Sequence, residues 1–506
     1  MELRLSQALM IAEAFNAGGG FFAAPVGEGK TIPSMLIPEV VEAKRPILLI
    51  PAGLREKTLS DRTELARHWR VHAGLRLVNY ELLQSPNSID LLDKLAPDWV
   101  LADEIQALKN LDAARTRRFF RYLREHPHVR VVAFTGTPTR TRLEDYAHLM
   151  VLCLGEGAPV PMIESVTEEW GAALNARLEP FQRIHPGALL EFCDGTEEGN
   201  PTARAQQGFQ KRLTETRGVL AFTASSCDKP LTLSLREPPP MPRIIAQSLA
   251  ALRETWTDPN GDEFDSALEL HRVARQLACG FYSLWDPPPS DRWLGARKDW
   301  HRFVREMIAR GDHTMDSPYH VAARFVEHPL HMRWVAVRDE YKPEDNTVPV
   351  WLDDWLCRDA ADWLRKGEPG IAWVEHLAVG HKIAEHARCR FFAAGERDAR
   401  DIRTAKGPYV ASIHAHAKGR NLQHLSRNLF VSCPPSGDVW EQALGRTHRA
   451  GQAEAVSAEV YLHTQELLAG LARAFDDAQY TNNTWGAEQK LLLAHRNFSL
   501  EELRHG

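Results

Sequence analysis

Several things are scarce in this chain of 506 residues, and each absence narrows what it can be. No apolar run approaches the roughly 20 residues that a membrane-spanning helix requires, so no membrane partner is expected. The seven cysteines (Cys153, Cys193, Cys227, Cys279, Cys357, Cys389 and Cys433) lie far apart and form no Cys-x-x-Cys pair. An odd, scattered set argues against a disulfide framework or zinc ribbon and for reduced thiols. Residues 1–7 carry neither the basic region nor the apolar core of a signal peptide, and the expected location is cytoplasmic. Positive charge is not in excess: 61 Lys and Arg against 67 Asp and Glu give a net −6. A nucleic-acid partner would therefore need a local basic groove, because phosphate neutralisation supplies most non-specific affinity. No internal repeat or low-complexity segment stands out.

The composition that remains, 44% hydrophobic and 25% charged, is that of an ordinary globular protein, with room for about three domains. The first 150 residues alternate short apolar runs with helical patterns, as a parallel α/β sheet does. The expected strands are Phe21–Ala24, Ile47–Ile50, Leu75–Asn79, Trp99–Ala102 and Val129–Thr135. From about residue 156 the texture becomes helical and mixed in charge, broken by Pro238-Pro239-Pro240 and Pro287-Pro288-Pro289. Nine of the fourteen tryptophans fall between residues 156 and 370, where helix packing is favoured over base stacking. Strand patterns return at Ile371–Val374, Arg390–Ala394, Tyr409–Ile413, Asn428–Ser432 and Ser457–Leu462, followed by a helical tail.

Four segments carry chemistry. Ala24-Pro25-Val26-Gly27-Glu28-Gly29-Lys30-Thr31 joins an apolar strand to a helix, the construction that holds a triphosphate. Backbone N–H groups around Gly27 and Gly29 can wrap phosphates, Lys30 can reach the β and γ phosphates, and the Thr31 hydroxyl suits Mg²⁺. Trp99 to Gln106 is a strand ending in two acids: Asp103 is placed to hold Mg²⁺, Glu104 to orient and deprotonate a water. Thr135-Gly136-Thr137-Pro138 closes a further strand. Glu441 to Gln452 holds Arg446 and Arg449 on adjacent turns of one helix face, suited to a γ-phosphate. The run Arg115, Arg117, Arg118, Arg121 and Arg124 could touch phosphates, though a solvated helix face is favoured. His414 and His416, on an expected strand, lack further ligands for a metal.

These segments together resemble a superfamily 2 helicase, most nearly the Swi/Snf-type DNA translocases in a compact bacterial or bacteriophage form. Arg4-Leu5-Ser6-Gln7 resembles the adenine-reading segment, Ala24 to Thr31 motif I, Pro51-Ala52-Gly53 the start of motif Ia, and Asp103 to Gln106 motif II. Thr135 to Pro138 is similar to motif III, Lys418-Gly419-Arg420-Asn421-Leu422-Gln423 to motif V, and Gln442 to Gln452 to motif VI. Trp373-Val374-Glu375-His376 occupies the place of motif IV, and Arg275-Gln276-Leu277 resembles a helix between the lobes. The chain departs from the group at Ala24-Pro25-Val26, where an acidic pair is usual, and at Ile105-Gln106.

The resemblance implies an α/β fold of two RecA-like parallel-sheet lobes, residues 1–155 and 366–506, with a mainly helical, Trp-rich insertion at 156–365. Gln7, Pro25, Val26, Gly27, Glu28, Gly29, Lys30 and Thr31 would bind ATP, and Thr31 and Asp103 would hold Mg²⁺. The catalytic set would be Lys30, Glu104, Gln442, Arg446 and Arg449. Thr135, Thr137, Gly419 and Arg420 would contact or couple to DNA. The implied activity is ATP-dependent unwinding of, or movement along, DNA in replication, recombination or repair. An RNA track and a nucleotide-regulated nucleic-acid-binding module without turnover are the alternatives; protein partners are unknown.

Overall fold

The computed structural model describes residues 2–500 except 138–141, 176, 179, 183, 186, 223–226, 260, 262 and 265. Pro138, at the end of the third motif, lies outside the described residues. Two parallel sheets organise the chain. The first contains β1 (Gly20–Ala23), β2 (Ile47–Ile50), β3 (Arg76–Asn79), β4 (Trp99–Asp103), β5 (Arg130–Thr135) and β6 (Val219–Ala221), in the order β3-β2-β4-β5-β1-β6. After β7 (Leu231–Arg236), the strands β8 (Phe281–Trp285) and β9 (Thr347–Trp351) form a separate antiparallel hairpin. β10 (Gly370–Val374), β11 (Arg390–Phe392), β12 (Tyr409–Ser412), β13 (Arg427–Phe430), β14 (Val456–Tyr461) and β15 (His495–Arg496) join β7 in the second sheet, ordered β11-β12-β10-β13-β14-β7-β15.

Both sheets are covered on both faces, which is why strands such as β1, β2 and β10 read as unbroken apolar runs. Successive side chains of one strand serve opposite cores: Ile47 and Leu49 join Phe21 on one face, Leu48 and Ile50 join Phe22 on the other. The second sheet is sandwiched the same way, with Trp373 and Phe430 on one side and Ala372 and Leu429 on the other.

The interval 156–365, expected as one helical insertion, divides differently. β6 pairs with β1 and extends the first sheet, while β7 pairs with β14 inside the second. The chain therefore crosses from one half to the other between residues 222 and 230. The helix Pro201–Glu215 packs Ala205, Phe209 and Leu213 into the first core. Only residues 286–346, carried on the β8–β9 hairpin, have small cores of their own, around Trp293 and Trp300. Trp293, Trp300, Trp355 and Trp363 are buried, so these rings pack helices.

A 21-residue helix, Gln465–Trp485, ties the halves together. Leu467, Leu471, Ala474 and Phe475 at its start belong to the second core; Tyr480 and Trp485 at its end belong to the first. Trp485 meets Phe21 at 5.6 Å and Tyr146 at 5.3 Å between ring centroids. No helix among the described residues is long and apolar enough to cross a membrane.

Candidate functional site

The loop after β1 turns sharply because Gly27 (φ +105°) and Gly29 (φ +76°) occupy left-handed conformations that side chains with a Cβ resist. Lys30 ends the loop as the residue before the helix Thr31–Val40. Its ammonium is buried and donates to the carbonyls of Ala24 (2.8 Å) and Pro25 (3.2 Å). Burial lowers its pKa and Arg446 adds to this, against Glu104 and Asp103, which raise it. Four charged groups from three distant segments therefore share one field. Gln7, on the helix Leu5–Ala17, backs the loop: its Nε2 donates to Gly29 O (3.3 Å), and a Cβ on Gly29 would strike that nitrogen at 2.6 Å. Arg4 pairs with the buried Glu28 at 3.7 Å.

β5 lies between β1 and β4, so the carboxyl ends of these three strands form one rim, the edge at which open parallel sheets hold ligands. Asp103 ends β4 and is pushed up to about 6, by burial first and then by Glu104, with Lys30 and Lys57 opposing. Glu104 sits at φ +56°, a left-handed backbone that a non-glycine residue holds at a cost of order 1–3 kcal/mol, the kind of strain that collects at functional sites. Gln106 links the acid pair to β5. Its amide donates to Glu104 Oε2 and to Thr137 Oγ1, while its Oε1 accepts from Thr135 Oγ1 (2.9 Å). The Thr135 hydroxyl also accepts from Thr137 N (3.1 Å). Thr135 and Thr137 are buried and are joined to the acids through Gln106.

The opposite wall is the helix Gly437–Thr447 and the turn after it. Arg446 is buried and makes no ion pair among the described residues; it donates to Gln442 O (2.8 Å), Gln442 Oε1 (3.0 Å) and Arg420 O (3.1 Å). Burial and the neighbouring Arg449 bring its pKa down to about 9. Arg449 lies over the loop, its Cβ 3.3 Å from where a Cβ on Gly27 would stand. Three buried donors on this side have no acceptor among the described residues: Arg449 Nε, Arg420 Nε and Gln442 Nε2. An unsatisfied buried donor costs about 1–3 kcal/mol, more if charged. Arg446 and Arg449, next to a glycine loop and a lysine, are donors that can receive an anion with several oxygens. Thr31, half-buried, and Asp103 carry side-chain oxygens of the kind a hard divalent cation takes.

Gly419 lies against the first half. At φ +68° it abuts Leu54, whose Cδ2 would lie 1.7 Å from an added Cβ, so it is a contact between halves. Arg420 is buried, its carbonyl serving both Arg446 and Arg449. His414 and His416 lie on one helical turn, Ile413–His416, where residues two apart diverge; His416 faces Ala393 O at 2.6 Å. Glu375 pairs with Arg275, which also donates to Cys433 O (2.7 Å). The basic helix Ala114–Glu125 is solvated at Arg124, but two of its arginines are committed within the fold. Arg118 is buried in a two-pronged pair with Asp316 (2.6 and 2.9 Å), and Arg117 donates to Ile308 O (2.9 Å).

Sequence reasoning missed the layer behind the arginines. Glu441 accepts from Lys490 N (2.7 Å), and Lys490 Nζ lies 3.3 Å from His448 Nδ1. No motif signals Lys490, which arrives from the far end of the chain. Neither the known protein-family models nor the curated proteins contain a match to this chain.

Proposed function

We propose that the chain is a nucleic-acid-dependent ATPase of the superfamily 2 helicase type, its two sheets forming RecA-like lobes that translocate on or unwind DNA. One observation carries the reading: the Lys30 loop and the Arg446–Arg449 wall, from opposite ends of the chain, pack against each other, and buried donors on that wall have no acceptor among the described residues. Gly27, Gly29 and Lys30 cradle the phosphates of ATP, and Gln7 stands beside them to read the base. Thr31 and Asp103 hold Mg²⁺, which supplies charge neutralisation to the phosphates. Glu104 orients water and takes its proton as the water oxygen bonds to the γ-phosphorus and the bond to ADP breaks. Arg446 and Arg449 stabilise the charge on the transferred group, a contribution of about 10³–10⁵ in rate.

Loss of the γ-phosphate removes what the arginines grip, so the halves separate and the cycle restarts. Gln106 is the connection by which the acid pair and the Thr135–Thr137 segment would move together. The test is phosphate release with and without DNA, beside Lys30→Ala and Glu104→Gln. Stimulation by DNA that both substitutions abolish is expected. A wild-type chain without nucleic-acid-stimulated turnover overturns the reading, and stronger stimulation by RNA of equal length reassigns the track.

A further inference from the structure

The subdomain 286–346 has no part in the nucleotide cleft, yet it holds a groove of about 1000 Å³ between the helices Asp291–Ala309, Pro318–Arg324 and Pro329–Val335. In a chain of net charge −6, this groove is lined by Arg297, Lys298, Arg305 and Arg338, with His301 and His331, and by no acidic residue. Helix geometry explains the segregation. Lys298 and Arg305 are seven residues apart with His301 between, so they share a face. Asp299 and Glu306 each sit one residue, about 100°, further round. Asp299 pairs with Arg333 (3.4 Å), and Arg338 lies 3.6 Å from Asp339. Burial and the charges of Arg297 and Arg305 push the His301 imidazole down, as a positive groove should.

The aromatic content is equally particular. Tyr319, at the start of the second helix, is 55% exposed and lines the groove beside Trp300 and Trp334. Arg297 is held over Trp285 and Trp293 at 6.0 and 5.2 Å. The groove includes Ile308, whose carbonyl accepts from Arg117 of the first half, so it lies beside the first sheet's body.

We infer that this groove binds a single strand of nucleic acid, with phosphates on Lys298 and Arg305 and a base on Tyr319. Concavity and the exposed ring favour a single strand: backbone-tracking cations with a stacking platform are the pattern of single-strand binding, whereas a duplex presents its own grooves to protruding elements.

The experiment titrates the full chain, without ATP, into a fluorescent single-stranded DNA of about 20 nucleotides over a range of KCl. An inactive ATPase would leave this measurement readable. Lys298→Glu with Arg305→Glu should weaken binding about tenfold or more and reduce the salt slope by about 1.4, two contacts at about 0.7 each. Lys298→Gln with Arg305→Gln, which keeps good helix formers, should lose the same slope and decides the matter if charge reversal prevents folding. Tyr319→Ala should weaken single-strand binding with the slope unchanged. Unaltered affinity and slope in the double variants overturn the inference. So do an equal loss of duplex binding in the double variants, and displacement of the DNA by poly-glutamate of equal charge.

Discussion

Val26 of the glycine loop and Gly445 of the arginine helix meet where the two halves touch: a Cβ on Gly445 would lie 2.8 Å from Val26 Cγ1. Glycine inside a helix costs about 0.5–1 kcal/mol relative to alanine, so its place here reflects the close approach of the two halves. Gly419 against Leu54 and Gly27 against Arg449 repeat the theme. Three glycines on the two walls let the halves touch.

Gly445→Ala should therefore separate stability from activity. Helix propensity gains roughly 1 kcal/mol, while the added methyl displaces Val26 and the loop it belongs to. ATP turnover should fall about 10²-fold, the scale of an ångström misplacement at a reacting site, with melting temperature unchanged or higher. Adding Val26→Ala should restore most of the turnover. A fully active Gly445→Ala enzyme would remove the significance of this contact.

Asp103 gives a pH-dependent prediction. Its carboxyl is pushed up to about 6, so between its ordinary value and 6 the folded chain holds a proton that the unfolded chain has released. Its ionisation therefore costs stability as pH rises, nothing below the ordinary value and the full amount above 6. In metal-free buffer at pH 7.5, Asp103→Asn should stabilise the fold by on the order of 1–3 kcal/mol. The gain should vanish by pH 4, and Mg²⁺-dependent turnover should be lost. In the wild type, the Mg²⁺ requirement should rise as pH falls below 6. Melting curves at the two pH values and an Mg²⁺ titration check this.

Arg118 and Asp316 join the subdomain 286–346 to the first half, each side chain only 2% exposed. Burial alone would raise the Asp316 pKa, but the hydrogen bonds and charge of Arg118, with His320, hold it below the ordinary value. Its stabilisation is present above that value and lost as pH falls. Asp316→Ala leaves a buried cation unpaired and should cost about 3–5 kcal/mol, whereas Arg118→Met with Asp316→Leu should cost much less. Hydrogen exchange of residues 286–346 should accelerate in the single variant only.

Trp485 is the far anchor of the tying helix. Trp485→Ala opens a cavity in the first core and should cost about 3–5 kcal/mol; Trp485→Phe, which keeps a ring against Phe21 and Tyr146, should cost less. Residues 465–485 should then exchange faster near their carboxyl end than near their start. Uniform protection along the helix would show that it does not span two bodies.

Much of this architecture is legible along the chain. Ten strands fall where short apolar runs place them, because a strand covered on both faces has no polar side to interrupt it. Leu231-Thr232-Leu233-Ser234-Leu235 also alternates as a strand does, but within a long helical stretch, and the three-residue β6 is too short for any periodicity to register. That the loop glycines, Lys30, the acid pair and the two arginines share one neighbourhood is what their motif resemblance implies, and their charges do share one field. The places of Lys490, Glu441 and Gln106 are not legible, since a lysine, a glutamate or a glutamine alone signals nothing.

The sequence by itself determined the local conformations and the chemical parts: periodicity records which face is buried, and spacing records which side chains share a turn. Only the tertiary structure decided what each part meets. It put β6 and β7 on different sheets, turned an arginine-rich helix into a docking surface for Asp316, and seated Arg449 on Gly27. The reason is physical: burial and charge specify that a group must have a partner, while which partner it finds depends on the packing of segments far apart in the chain.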